Sequence, residues 1–284
     1  MIKPEPIEFG DGRIAALSWG ETGAPVWVAL HGWLDNAASF SRLAPLLVES
    51  LGIRLVAIDF SGHGMSRHSA AEGYAIWDYV HDLLDVLDDL ALASVPVLGH
   101  SMGAGVACLA AAALPERVDR LVLIDGLGTL TTQPNDTASQ LRKGILRHRR
   151  RISPSPRYPD KATAVAARVA GGVTPMDSVT AEPLVERNLA ILADGHLRLR
   201  SDGRLLQPSP VRFSPAQMLA VLSDIKAPTL LIEAESGILA QYPAAADARA
   251  MVSDLHRVVL AGGHHLHLEP AAVSRVADVM VDWY

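Results

Sequence analysis

A serine between two glycines is the residue of this sequence with the clearest capacity for chemistry. It is Ser101, in the segment GHSMG at residues 99–103, which follows the short apolar stretch VPVL and precedes a run of small residues. The segment fits the pattern G-x-S-x-G, in which a sharp turn from a strand into a helix presents the serine. Because a neighbouring base can activate a serine hydroxyl, the pattern predicts a nucleophile for acyl transfer. The alternative is an ordinary glycine turn with a buried serine.

Candidates for the base lie near the end of the chain, in the segment GGHHLHLEP at residues 262–270. His264 directly follows the glycines that end a predicted strand, and we predict that it accepts the proton of Ser101. His265 and His267 are the alternatives. Three histidines so close together could also bind a metal ion, but the sequence places no cysteine or carboxylate cluster nearby, and we expect no metal.

Acyl transfer also needs two backbone N–H donors for the oxyanion of the transition state. One candidate is the N–H of Met102, the residue after the predicted nucleophile. The other is the N–H of Trp33 in the segment HGWL at residues 31–34, where Gly32 lets the backbone approach a substrate. The Trp33 side chain could pack in the core at the same time, because the donor is main chain. We expect His31 to be a hydrogen-bonded structural residue.

Strands and helices alternate around these residues, which is typical of a parallel sheet covered on both faces. The apolar runs predict strands at Ile7–Gly10, Arg13–Gly20, Pro25–His31, Ile53–Phe60, Val95–Gly99, Val118–Asp125, Pro228–Glu233 and His256–Leu260. Helices are predicted at Tyr74–Leu92, Gly103–Leu114, near Ala244–Ser253 and from Pro270. The alternation breaks over residues 128–214. We therefore predict an α/β core domain of residues 1–127 and 215–284, with a helical cap insertion of residues 128–214.

The charge of the chain is distributed unevenly between these two parts. Residues 128–214 hold 14 Lys and Arg against 7 Asp and Glu, although the whole chain has a formal net charge of −6. The net negative charge gives no support to a nucleic-acid partner. The basic run at residues 147–151 is either a solvated surface or part of a basic cap that steers an acidic substrate, such as an acyl thioester carrying phosphates.

Composition also bears on location. No run of 18 apolar residues is present, so we expect no membrane span. The first residues lack the apolar core of a signal peptide, and the single cysteine, Cys108, cannot form an internal disulfide. These features predict a cytoplasmic protein.

Four motifs occur in the order typical of the α/β-hydrolase superfamily, and the chain resembles that superfamily. They are HGW at 31–33, DFSGHGMS at 59–66, GHSMG at 99–103 and GGHHLHLEP at 262–270. The stretch HGWLDNAASF together with DFSGHG is similar to the branch called serine hydrolase-like proteins. The resemblance implies an eight-stranded, mostly parallel sheet with helices on both faces, a cap after the sixth strand, and no cofactor. It matches Ser101 to the nucleophile, His264 to the base, and Trp33 and Met102 to the oxyanion donors.

The acid that orients the histidine does not follow the pattern of this superfamily. Members usually place it after the seventh strand, three residues past a glycine. In this sequence Ala234 replaces that glycine, and the expected acid position is Gly237. Asp125, at the end of the sixth predicted strand, is our first candidate, Glu235 is the second, and an absent acid is the third possibility. Asp125 could also serve only to order the loop that follows it.

These residues predict a serine hydrolase that cleaves a carboxylic ester or thioester through an acyl-serine intermediate. The expected partner is a small-molecule substrate with an apolar acyl group. The same residues could support C–C bond hydrolysis or perhydrolysis. A weakly active or inactive binding or signalling protein is the alternative from another class, and the absent carboxylate at position 237 favours it.

Overall fold

The computed structural model describes residues 2–152 and 154–284. Its strands are β1 (Glu5–Phe9), β2 (Ile14–Trp19), β3 (Val26–Leu30), β4 (Arg54–Ile58), β5 (Val95–His100), β6 (Val118–Ile124), β7 (Arg157–Tyr158), β8 (Leu189–Ile191), β9 (Leu197–Leu199), β10 (Thr229–Ser236) and β11 (Leu255–Gly263). Its α-helices are α1 (Leu43–Leu51), α2 (Asp78–Asp89), α3 (Met102–Ala113), α4 (Thr137–His148), α5 (Lys161–Gly171), α6 (Ser178–Asn188), α7 (Pro215–Ser223), α8 (Ala245–Met251) and α9 (Val273–Trp283).

Eight of these strands form one sheet in the order β1-β2-β4-β3-β5-β6-β10-β11. The pairs β1–β2 and β2–β4 are antiparallel, and every other neighbouring pair is parallel. The predicted eight-stranded, mostly parallel sheet is confirmed. Because parallel strands end at the same edge of a sheet, the loops after β3, β5, β6, β10 and β11 come together at one edge.

Helices cover both faces of this sheet. Helices α2, α3, α7 and α8 pack on one face, and α1 and α9 pack on the other. Helix α3 consists mostly of alanine and glycine, and nine of its residues are buried, so it can lie close to the strands. Burial on both faces explains why the inner strands are apolar along their whole length rather than at alternate positions.

Several boundaries differ from the predicted ones for local reasons. The helix predicted from Tyr74 begins only at Asp78, whose carboxylate accepts a hydrogen bond from the N–H of Ala75 at 2.9 Å and closes a turn there. Strand β10 continues past the predicted end at Glu233 as far as Ser236, because it stays paired with β11. Helix α1 is not among the predicted elements.

Residues 128–214 contain α4, α5 and α6, as well as a three-stranded antiparallel sheet in the order β7-β9-β8. The helical-cap prediction did not include this sheet. A small apolar cluster of its own, with Ala164, Val165, Ala181 and Val185, lies between α5 and α6. Within the part of the chain that the structure describes, no helix is both long and apolar enough to cross a membrane.

Candidate active site

Ser101 occupies a strained turn between β5 and α3. Its backbone angles are φ 53° and ψ −115°, in a region that side chains rarely adopt. The turn needs a glycine two residues later, because a Cβ atom at Gly103 would lie 2.1 Å from the carbonyl oxygen of Leu30 on β3. The geometry presents the Ser101 side chain at the first turn of a helix, half-buried on the wall of a cavity.

His264 lies on the wall of the same cavity and is held by a buried carboxylate. It directly follows β11, and its Nδ1 donates a hydrogen bond of 2.6 Å to Oδ2 of Asp125. Asp125 directly follows β6 and is completely buried. Because Nδ1 is occupied by this bond, Nε2 is the ring nitrogen left to act as a base.

The position where the superfamily usually carries its acid has no room for one in this chain. A Cβ atom at Gly237 would lie 2.2 Å from Oδ2 of Asp125 and 2.4 Å from its carboxyl carbon. The same carboxylate also accepts hydrogen bonds from the backbone N–H groups of Ala234 at 3.3 Å and Ile238 at 2.8 Å. The Asp125 carboxylate, which comes from β6, therefore fills the space beside the end of β10 that a side chain at position 237 would need.

The other sequence candidates for base and acid lie elsewhere. Glu235 is exposed and lies on a different surface depression, together with Arg249 and Arg257. The rings of His265 and His267 are buried, and their Nε2 atoms are bonded to Asp35 and to the Ser39 hydroxyl, respectively.

The loop that carries His264 is fixed from two sides. The backbone N–H of Gly263 donates to both carboxylate oxygens of Glu269, at 3.1 and 3.0 Å. The carbonyl oxygen of His264 accepts a hydrogen bond of 2.9 Å from Nε2 of His100. Burial and the neighbouring His267, His264 and His265 keep the pKa of His100 well below its ordinary value, so its ring is neutral.

Asp35 joins this loop to the insertion. Its Oδ2 accepts from His265 at 3.1 Å, and its Oδ1 accepts from Arg168 on α5 at 2.6 Å. Burial alone would raise the pKa of Asp35, but His265 and Arg168 outweigh burial and hold that pKa well below its ordinary value. A negatively charged Asp35 therefore ties the loop after β3 both to the histidine loop and to the insertion.

Asp35, His100 and His265 also offer three atoms of metal-ligand type within 4.8 Å of one another. Imidazole and carboxylate groups are common ligands of zinc and related ions. Asp35 was not among the ligand candidates predicted from the sequence, because it lies 230 positions away from His265 in the chain. Both Asp35 oxygens already accept hydrogen bonds from protein groups, so the contacts that the structure shows are those of a hydrogen-bonded network.

Both candidate oxyanion donors line the cavity beside Ser101. Met102 is the first residue of α3, so its N–H has no acceptor four residues earlier in the same helix. The Trp33 side chain does not pack in the core. It is 38% exposed, and its Nε1 donates to the carbonyl oxygen of Leu205 at 3.0 Å. His31 donates through Nδ1 to the Gly32 carbonyl at 2.7 Å and accepts through Nε2 from the Phe60 N–H at 3.0 Å.

The cavity itself has a volume of about 1020 Å³ and is bounded by both parts of the chain. Its core-domain wall includes Ser101, His264 and the loop after β3. Its other wall comes from the insertion and is largely apolar; the apolar side chains on it include Leu130, Leu146, Val173, Met176, Leu205, Leu206, Val211 and Phe213. A molecule bound there can therefore reach Ser101 while its apolar part contacts the insertion.

A model of the alpha/beta hydrolase fold family matches residues 25–271. The chain belongs to this family. A serine hydrolase-like protein of Dictyostelium discoideum is 31% identical over 282 residues, which cover 93% of this chain and 77% of that protein. The resemblance to the serine hydrolase-like branch is thereby confirmed.

Two solved structures that are similar to this chain show the same fold. The crystal structure of a hypothetical protein from Pseudomonas aeruginosa has a TM-score of 0.87 and 38% identity, and the match covers 99% of both chains. The thioesterase domain from the curacin biosynthetic pathway has a TM-score of 0.82 and 26% identity, also over 99% of both chains.

Four residues that support the site from a distance were not predicted from the sequence. Asp35, His100, Arg168 and Glu269 hold the loops that carry the candidate site residues. Asp35, His100 and Glu269 lie within stretches that the sequence comparison with the superfamily uses, namely HGWLDNAASF, GHSMG and GGHHLHLEP. Arg168 lies in the insertion, whose sequence contains no motif, so only the folded structure identifies it.

Proposed function

We propose that this protein is a serine hydrolase that cleaves carboxylic esters or thioesters through an acyl-serine intermediate. The hydrogen bond between His264 Nδ1 and Asp125, on the wall of the cavity that Ser101 lines, is the observation that carries this proposal. Such a pair sets the tautomer of the imidazole and stabilises the imidazolium that forms when the serine is deprotonated.

The chemistry proceeds in two halves. Nε2 of His264 takes the proton of Ser101 as Oγ attacks the substrate carbonyl, and the N–H groups of Trp33 and Met102 donate to the resulting oxyanion. The intermediate collapses, the C–O or C–S bond breaks, and His264 returns the proton to the leaving alcohol or thiol. Water then attacks the acyl-serine, with His264 again as the base, and releases the acid.

Two observations support the substrate class. The apolar side chains of the insertion favour an apolar acyl group, since they remove its surface from water on binding. The thioesterase domain from the curacin pathway supports thioesters as well as oxygen esters. The absent carboxylate at position 237 was the feature that favoured an inactive binding protein. It no longer supports that alternative, because Asp125 places a carboxylate beside His264.

Steady-state hydrolysis of p-nitrophenyl butyrate tests the proposal. We expect Ser101→Ala and Asp125→Asn to lower kcat by about 10³-fold or more, since removing a member of such a group of residues costs this much in related sites. Glu235→Gln is the matched control, because it removes a nearby carboxylate that does not contact His264, and it should keep kcat within about twofold of the wild-type value. A folded Ser101→Ala protein with wild-type turnover would contradict the proposal.

The same assay separates the alternative reactions. A panel should contain p-nitrophenyl butyrate, a butyryl thioester, a β-diketone for C–C bond cleavage, and ester with hydrogen peroxide for perhydrolysis. We expect ester and thioester turnover that depends on Ser101. Turnover of the diketone alone would replace our proposal with C–C bond hydrolysis.

A further inference from the structure

The walls of the cavity carry an excess of positive charge. Six basic side chains line it, namely Lys143, Arg147, Arg150, Arg168, Arg204 and Arg212, whereas Asp35 is the one carboxylate on the described part of its wall. All six come from the insertion, whose balance of +7 contrasts with the −13 of the rest of the chain. Six of the fourteen Lys and Arg residues of the insertion therefore line the cavity.

Two of these six cations have carboxylate partners and four do not. Arg168 pairs with Asp35 at 2.6 Å, and Arg204 pairs with Asp202 at 2.6 Å. Among residues 2–152 and 154–284, no carboxylate oxygen lies within 4.0 Å of a side-chain nitrogen of the remaining four, Lys143, Arg147, Arg150 and Arg212. Four cations without a carboxylate partner therefore line one cavity, and such a set can attract a ligand with several negative charges.

The position of three of these cations follows from helix α4. Lys143 and Arg147 are one turn apart and therefore lie on the same face, and Arg150 follows just after the helix ends. Arg142, Arg149 and Arg151 belong to the same segment and are also exposed, but they do not line the cavity. The segment thus presents half of its cations to the cavity and half to bulk solvent.

We propose that the substrate is a thioester whose thiol part carries phosphate groups, so that the phosphates contact Lys143, Arg147, Arg150 and Arg212 while the acyl group reaches Ser101. This inference rests on the proposed function. Guanidinium groups match the geometry of phosphate oxygens and bind them through paired hydrogen bonds. Positive charge above apolar cavity walls also concentrates an anionic substrate and raises its association rate by tenfold or more at low ionic strength.

Three thioesters with the same butyryl group test this inference. S-Butyryl-N-acetylcysteamine has no phosphate, S-butyryl-phosphopantetheine has one, and butyryl-coenzyme A has several together with a nucleotide. We expect kcat/KM for butyryl-coenzyme A to exceed that of the neutral thioester by at least tenfold at low salt, and the ratio to fall as salt is added. The phosphopantetheine arm shows whether one phosphate suffices or the nucleotide phosphates are needed.

Two triple variants provide the matched comparison. Lys143→Gln/Arg147→Gln/Arg150→Gln removes the cations that line the cavity. Arg142→Gln/Arg149→Gln/Arg151→Gln removes the same charge from the same segment outside it. We expect the first variant to lower the kcat/KM ratio of butyryl-coenzyme A to the neutral thioester by about tenfold, and the second to keep that ratio within about twofold.

The outcomes separate this inference from the proposed function. If the wild type hydrolyses p-nitrophenyl butyrate through Ser101 but shows no preference for the phosphorylated thioesters, or if both triple variants change the ratio equally, the inference is wrong and the proposed function stands. If the wild type hydrolyses neither the aryl ester nor any thioester, both are wrong. Circular dichroism of each variant confirms that the protein is folded.

Discussion

The carboxylate of Asp125 and a side chain at position 237 would occupy the same space. A Cβ atom at Gly237 would lie 2.2 to 2.4 Å from the three carboxyl atoms of Asp125, which is closer than real Cβ atoms approach. Asp125 has a φ of 42°, and glycine adopts that region without strain. The exchange Asp125→Gly/Gly237→Asp should therefore move the carboxylate from the end of β6 to the end of β10 and keep it beside His264.

The single and double variants have different expected rates. Removing the acid of such a site lowers kcat by about 10⁴-fold, which corresponds to about 5 kcal/mol of transition-state stabilisation. We expect Asp125→Gly alone to show a loss of this order. Gly237→Asp alone places two carboxylates in one space, so it should lower both the stability and kcat. The double variant should recover at least a hundredfold of the rate that Asp125→Gly loses.

The assay is kcat for p-nitrophenyl butyrate, with thermal unfolding to show that each variant is folded. Asp125→Gly/Gly237→Asn is the control, because it restores the shape of the side chain without its charge and should stay as slow as Asp125→Gly. Equal rates for the aspartate and asparagine double variants would refute the argument that position 237 is the alternative site of the same carboxylate.

Three further predictions concern stability and the support of the site. Burial lowers the pKa of His31 to about 4, so between pH 6.5 and 4 the unfolded chain binds a proton that the folded protein does not, and acid destabilises the fold. Between pH 7 and pH 5, His31 should lower the free energy of unfolding by about 2 kcal/mol. Urea unfolding of His31→Gln should show a smaller decrease over the same pH range than the wild type, and an equal decrease would contradict the assignment. Arg187→Ala should lower the free energy of unfolding in urea by about 3 kcal/mol, because it leaves the completely buried Asp59 without its guanidinium partner. The backbone N–H groups of Ala37 and Met65 also donate to Asp59, and a change below about 1 kcal/mol would show that they suffice. Glu269→Ala should lower kcat for p-nitrophenyl butyrate more than it raises KM, because the Gly263 N–H loses its acceptor and the His264 loop is less fixed; an effect on KM alone would contradict this.

The fold was predictable from the sequence because its strands and helices carry local signals. The apolar strands and the small-residue helix after Ser101 are visible without knowledge of contacts. The strands β7, β8 and β9 have only two or three residues each, which is too short for a periodic pattern. For this reason the small sheet of the insertion was not predicted.

The identity of the acid could not be decided from the sequence alone. Asp125 and Glu235 lie at the ends of the adjacent strands β6 and β10, so strand order alone does not choose between them. The choice depends on side-chain direction: Asp125 is buried and contacts His264, whereas Glu235 is exposed on another surface, and no local pattern encodes this difference. The partners of Asp35 are likewise far away in the chain, so its contacts with Arg168 and His265 appear only in the folded structure.

Covalent labelling tests the central claim most directly. A fluorophosphonate reacts with a serine that a neighbouring base activates, and mass spectrometry of the digested protein identifies the labelled residue. We predict one adduct, on the peptide that contains Ser101, with slower labelling in His264→Ala and none on that peptide in Ser101→Ala. An unlabelled folded protein, or an adduct on another serine, would contradict the assignment of Ser101 as the nucleophile.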